Sequence, residues 1–222
     1  MSVKFSLEDT TKQLLNVVEK NIAWAKNLNP VEGSGKSAKH FFYCPECLRV
    51  DVYFKSQVDY ARRKGKKIEC FKCKVEMKPI DEFKAEYERV MRTYCERAKS
   101  LLERAWRVLE SWWDGINRVD FTSEGVRVYF DYPSHPPYTY IEIYRDKKDT
   151  TVRIYLHFLH RQQLDKFVEL LNIVKSTGLH GEVQVDSRPD HCEVPEEVMR
   201  SLGFVRMFKE LGRLPDDWYM EF

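Results

Sequence analysis

The sequence predicts an α+β protein: an N-terminal helix, a small cysteine-bearing β module, and a larger domain built on a mostly antiparallel sheet with packed helices. Three observations lead there. Two Cys-x-x-Cys pairs, with twenty-two residues between them, stand among short apolar segments. One apolar stripe at helical spacing runs from Asp81 to about Trp113. After Gly125, three segments alternate apolar and polar residues, as half-buried strands do.

The first helix starts at Ser6, with Asp9 three residues on in the manner of a capping box. Leu14, Leu15, Val18, Ile22 and Ala25 then recur at helical spacing until Asn29-Pro30 ends it. Asn29 to Ser37, NPVEGSGKS, reads as a linker. HFFYC and VDVYF flank the first cysteine pair and KKIEC leads into the second, a strand–turn–strand pattern. In the long helix, Phe83, Tyr87, Val90, Tyr94, Ala98, Leu101, Ala105, Val108 and Trp112 fall three or four apart, with Asp81 as N-cap and Gly115 as stop. The pattern allows either an unbroken helix or a bent one.

Strands are expected at Gly125–Tyr132, Tyr138–Arg145 and Thr151–Phe158, with PSHPP and DKKD as the turns between them. Leu164, Phe167, Val168, Leu171 and Val174 mark a helix ending at Gly178. GEVQVDS reads as a strand, Pro195–Leu202 as a short helix, and VRMFKELGRL with DWYMEF as a final strand pair. The order is β-β-β-α-β-α-β-β. The implied boundaries are 1–30 for the first helix, 31–79 for the cysteine module and 80–222 for the long helix and sheet domain.

Net charge is only +2 over 222 residues, so overall charge selects no partner. Its distribution is uneven. Lys36 to Lys78 carries twelve Lys/Arg against five Asp/Glu, whereas Gly181 to Phe222 carries five against ten. No run of residues is long and apolar enough to span a membrane, so no membrane partner is expected. The N-terminus lacks the apolar region of a secretory signal, and a reducing, cytoplasmic location suits cysteines paired as metal ligands. Few Asn and Gln beside many Lys, Arg and Glu give a thermophile-like composition.

Cys44-Pro-Glu-Cys47 and Cys70-Phe-Lys-Cys73 have the spacing at which two turns each aim two thiolates at one centre. Such a set closes a tetrahedral S₄ shell around zinc, with iron in a rubredoxin-like site as the alternative. A closed shell leaves no position for substrate, so the metal should be structural. From about Phe41 to Lys78 the sequence resembles zinc ribbons. Arg62, Arg63, Lys64, Lys66 and Lys67 crowd around Gly65 in what reads as a ribbon loop, with Tyr53, Phe54 and Tyr60 nearby. Even after a tetrathiolate's charge of minus two, the module stays basic. Such cations can neutralise phosphates and Tyr60 can stack on a base, so these residues are the candidate DNA- or RNA-binding set. A solvated loop made soluble by its charge is the plainer reading, and contact with an acidic protein surface is a third.

The strand and helix order after Gly125, together with EEVMRSLGF followed by GRLPDDWYMEF, resembles the later part of the GNAT acetyltransferase fold. That resemblance implies an Arg/Gln-x-x-Gly-x-Gly/Ala turn in which backbone N–H groups hold a coenzyme A pyrophosphate. The corresponding residues, Arg161-Gln162-Gln163-Leu164-Asp165-Lys166, lack the glycines.

Other features carry less. GSGKS at Gly33–Ser37 resembles a phosphate-binding loop, but Pro30 stands where the first glycine belongs. His157 and His160, with the distant His191 and Cys192, could furnish a second metal set, although ordinary packing also accounts for them. Polar strand faces at Arg127, Tyr129, Asp131, Tyr140, Glu142, Tyr144, Arg153, Tyr155 and His157 could meet a ligand, or be covered by a helix or face water. Trp106, Trp112 and Trp113 read as core or interdomain packing, and Cys95 as an inert buried thiol. The leading expectation is a zinc-binding protein that contacts nucleic acid or its machinery, a binder rather than an enzyme. The rivals are an acyltransferase with a nonstandard cofactor loop and an architectural protein bridging protein partners.

Overall fold

The computed structural model describes residues 5–131, 138–213 and 215–222. The end of the first expected strand at Tyr132, the PSHPP turn, and Leu214 lie outside them. The α+β class holds.

Helix α1 (Leu7–Asn27) begins where Ser6 Oγ accepts the Asp9 N–H at 3.0 Å and donates to its carboxylate at 2.7 Å. Leu14, Val18, Ile22 and Ala25 are buried, but Leu15 faces out. Helix α3 (Phe83–Glu110) is one unbroken helix of 28 residues, about 42 Å at 1.5 Å per residue. All nine apolar positions of its predicted stripe are buried, Trp112 lying just past its end. Asp81 does not cap it; a 3₁₀ turn, Ile80–Glu82, leads straight into it. Gly115, at φ 62°, ends the turn that follows.

The chain divides into two compact units, Leu15–Cys95 with Arg145–Asp149, and the described residues of Met1–Leu14, Glu96–Tyr144 and Thr150–Phe222. In the first, Lys26 and Glu88 pair at 2.6 Å and Glu19 and Arg92 at 2.9 Å, while Trp24 sits edge-on to Phe83 and Tyr87. Its sheet centres on β2 (Lys39–Tyr43), with β3 (Val50–Phe54) antiparallel along one edge. The other edge is shared by β1 (Val31–Glu32) and β4 (Lys78–Pro79). The expected linker therefore contains a strand, and a 3₁₀ turn at Gly35–Ser37. The expected ribbon loop is largely helix α2 (Lys55–Arg63), anchored by the buried Val58 and by Gln57 Oε1 accepting the Phe54 N–H at 2.8 Å.

The second unit holds seven strands: β5 (Ile116–Phe121), β6 (Gly125–Phe130), β7 (Tyr140–Asp146), β8 (Asp149–Leu156), β9 (His180–Val185), β10 (Val205–Arg206) and β11 (Trp218–Glu221). Their order across the sheet is β10-β11-β9-β8-β7-β6-β5. The β5–β6, β6–β7, β9–β11 and β10–β11 pairs are antiparallel, and β8 runs parallel to β9. That parallel step requires a crossover, supplied by α4 (Leu164–Lys175), which buries Phe167, Leu170, Leu171 and Val174. Helix α5 (Glu196–Ser201) precedes β10. Two elements depart from expectation. β5 adds a strand before the anticipated three, and VRMFKELGRL gives only the two-residue β10 to the expected strand pair, Met207–Leu211 forming α6.

Candidate metal centre

Each cysteine pair sits in a turn built on one backbone pattern. The Cys44 N–H donates to the Arg49 carbonyl at 2.9 Å, and the Leu48 N–H returns to the Cys44 carbonyl at 2.9 Å. The second turn repeats this with Cys70 N–H to Val75 at 2.9 Å and Lys74 N–H to Cys70 at 2.8 Å. An antiparallel bridge between Glu69 and Glu76 closes the second turn, as β2 and β3 close the first. Both turns thereby aim two sulfurs at one point.

The four Sγ atoms all lie within 4.8 Å of one another. Cys44, Cys47 and Cys70 are buried and Cys73 is partly exposed. Cys47 and Cys70 Sγ are 3.7 Å apart, far beyond a disulfide bond. A tetrahedral zinc with Zn–S near 2.3 Å separates its sulfurs by about 3.8 Å, so the donor set fits. Met77 is buried in the same cluster, with Phe42, Tyr53, Ile68 and Val75 packed around it.

Electrostatics favours a cation here. Burial pushes the Cys47 thiol up to about 12. Burial acts the same way on Cys70, but there the backbone N–H groups of Cys73 and Lys72 win and the thiol falls to about 7. Four clustered thiols cannot all ionise without a compensating charge, which a divalent metal would supply. Cys44, Cys47, Cys70 and Cys73 thus form a group suitable for zinc. Bound there, zinc would cross-link the two turns and leave no ligand position free.

The basic residues lie in the segment between the two cysteine turns. Arg62 and Arg63 close the last turn of α2, Lys64 follows, Gly65 reverses the chain at φ 60°, and Lys66 and Lys67 come next. All five are exposed. Cations at a helix C-terminus also suit the helix dipole. Lys67 pairs with Glu76 at 2.7 Å, while Arg63 Nε reaches only its own helix, at the Asp59 carbonyl. Tyr60 is 51% exposed. Two hollows flank the helix: one of about 830 Å³ lined by Lys36, Lys55, Asp59, Arg62 and Arg63, the other of about 480 Å³ lined in part by Tyr53, Tyr60, Lys66 and Lys67.

The turn from Arg161 to Lys166 is closed. Arg161–Gln163 is a 3₁₀ turn leading into α4, and the fully buried Gln163 side chain occupies it. Its Nε2 donates to Asp131 Oδ2 at 3.4 Å and its Oε1 accepts the His160 N–H at 3.4 Å. The polar strand faces form an ionic and aromatic network: Arg127–Glu142 at 2.8 Å, Arg153–Glu142 at 3.6 Å, and Tyr140 stacked on Tyr155. Trp106 and Trp112 are buried, but Trp113 is exposed and stacks on His160. His160 pairs with Glu193 at 3.1 Å and does not join His157. His157 instead meets His191 and Asp186, an aspartate that no sequence pattern singled out.

Compared with known proteins, the chain matches no family model and no curated sequence. Among the described residues, no helix is long and apolar enough to cross a membrane.

Proposed function

We propose that the chain is a zinc-ribbon protein that binds nucleic acid through the basic surface around α2. The observation that carries this reading is the pair of hollows on either side of that helix. One gathers Lys36, Lys55, Arg62 and Arg63 against a single acid, Asp59. The other sets the exposed Tyr60 ring beside Lys66 and Lys67. Cations in one hollow suit phosphates, and an aromatic beside cations in the next suits a base stacked close to its own backbone. The metal's part is structural: it holds the two turns so that the segment between them, α2 included, is presented in one conformation.

The test is binding of zinc-loaded protein to labelled single- and double-stranded DNA and RNA across a salt series. Sub-micromolar binding that weakens steeply with salt supports the reading. No binding to any of the four at low salt overturns it and turns attention to an acidic protein partner.

The acyltransferase reading rests on the strand and helix order of the second unit, in which α4 follows β8, α5 follows β9 and a short strand pair ends the chain. Gln163 stands against it, because its side chain fills the turn where a pyrophosphate would need bare backbone. Thermal stabilisation by millimolar acetyl-coenzyme A would revive it.

A further inference from the structure

Away from the cysteines, His157, Asp186 and His191 each bring one ligand atom within 4.8 Å of the others, and all three residues are buried. The parallel pairing of β8 with β9 creates this meeting. Leu156 and Val185 are register partners, and one step further His157 and Asp186 leave the strand ends side by side. The Asp186 N–H still reaches the Leu156 carbonyl at 2.9 Å. The chain then turns through Arg188 and returns along the end of β8, where the Leu159 N–H donates to the His191 carbonyl at 2.8 Å and Leu159 bridges Cys192. That return carries the His191 ring to the other two.

The distances suit a shared ion. Asp186 Oδ2 lies 3.0 Å from His191 Nδ1 and 3.5 Å from His157 Nδ1. Donors about 2.0–2.1 Å from a common zinc are about 3.3 Å apart in a tetrahedral arrangement. His157 Nδ1 makes no hydrogen bond although the residue is only 5% exposed, and a buried nitrogen left so calls for a partner. The His157 N–H is held by Thr139 Oγ1 at 3.1 Å, and Phe158 packs against both imidazoles. On the far side of His191, Nε2 faces the Asp190 carboxylate at 3.4 Å, the outer contact by which metal-binding histidines are commonly oriented.

We propose that His157, Asp186 and His191 form a second metal centre, a two-histidine, one-carboxylate site for a divalent transition ion such as Zn²⁺ or Fe²⁺. Nitrogen and oxygen donors of this kind select such ions over Mg²⁺ or Ca²⁺. Three protein ligands, unlike the four thiols, leave coordination positions for water or another small donor. Arg188 is the competitor. Its guanidinium grips both Asp186 oxygens, with Nη2 2.6 Å from Oδ2 and Nε 3.1 Å from Oδ1. The Arg188 side chain is 57% exposed, so it can withdraw into solvent as an ion enters.

The experiment is a Co²⁺ titration of the reduced 222-residue chain, followed by absorption, with zinc content of the same preparations measured by mass spectrometry. We expect two equivalents, one giving thiolate-to-cobalt charge-transfer bands and one giving only the weaker bands of a nitrogen–oxygen shell. His191→Ala and Asp186→Asn should lose the second equivalent and keep the first, whose thiolate bands report that the protein is still folded. Arg188→Ala should keep both and hold the second at least tenfold more tightly against a chelator. A wild-type protein that takes one equivalent, or a second equivalent that survives both ligand substitutions, overturns the proposal. An Arg188→Ala variant with unchanged affinity would overturn the competition.

Discussion

Leu48 and Lys74 share one backbone conformation, φ 59° and 60°, each directly after the second cysteine of its pair. They are equivalent positions of two turns with the same hydrogen bonds, and the left-handed conformation turns the chain back so that the carbonyl of the next residue, Arg49 or Val75, accepts the first cysteine's N–H. Glycine takes that conformation without penalty, whereas an L side chain costs about 1–2 kcal/mol there.

The two positions should nonetheless respond oppositely to glycine. Lys74 is exposed, so Lys74→Gly relieves strain and loses no packing, less the added freedom of the unfolded chain. A net gain of about 0.5–1 kcal/mol is expected. Leu48 is 3% exposed, and removing its side chain forfeits about 1.5–3 kcal/mol of burial, more than the strain recovered. Leu48→Gly should therefore destabilise. Urea unfolding of zinc-loaded protein decides it, and a lowered midpoint for Lys74→Gly would sink the strain argument.

Removing the metal should loosen the cysteine turns before anything else. Among the described residues the cysteine cluster has only a small apolar core, Met77 with partly buried neighbours, whereas the seven-stranded sheet buries Val126, Phe130, Ile141, Ile154, Val183 and more. A chelator with reductant should therefore speed amide exchange at Cys44, Leu48, Cys70 and Lys74 while strands β6 to β9 keep their protection. Cys70→Ser should reproduce the effect. Unchanged exchange in the turns after verified zinc loss would remove the structural role of the metal.

How much of this was legible in the sequence depended on how local the signal was. The stripe from Phe83 to Trp112 and the cysteine spacing are short-range patterns, and each named the right residues. Helix α2 escaped because Val58 is its one buried residue, so KSQVDYARR has no apolar period and reads as a charged loop. Strand β5 escaped for a related reason: INRVDF is half-exposed throughout and shows no clean alternation. The meeting of His157 with Asp186 was beyond reach, since it depends on a parallel register between strands joined through a crossover helix. No local pattern encodes that register.

Asp131 offers a test of pH dependence. Its Oδ1 is buried without a hydrogen-bond partner, and its Oδ2 accepts a long contact, 3.4 Å, from Gln163 Nε2. Burial raises its carboxyl above the ordinary value, so the folded chain holds the proton more tightly than the unfolded one. Below the unfolded pKa both forms are protonated and there is no penalty. As pH rises the unfolded form ionises first, and stability falls until the folded carboxyl ionises too. Asp131→Asn should therefore stabilise at pH 7 by about 1 kcal/mol, the scale of one unsatisfied buried acceptor, with the gain vanishing toward pH 3. Asn also tolerates the φ of 58° at this position. A gain of equal size at both pH values would rule out the carboxyl as its source.

The basic surface makes a numerical prediction. On duplex DNA each phosphate contact contributes about 0.9 to the slope of log K against log salt. Arg62 and Arg63 line the hollow that holds Lys36 and Lys55, and neither forms an ion pair among the described residues. Replacing both with Ala should reduce the slope by about 2, one contact each, and weaken every sequence alike. Lys67 is tied to Glu76, so Lys67→Ala should cost less than either arginine. Tyr60→Ala should leave the slope unchanged while weakening single strands by about 1–3 kcal/mol, the worth of one stacked base. An unchanged slope in the double arginine variant, with binding intact, would move the nucleic-acid contact away from α2.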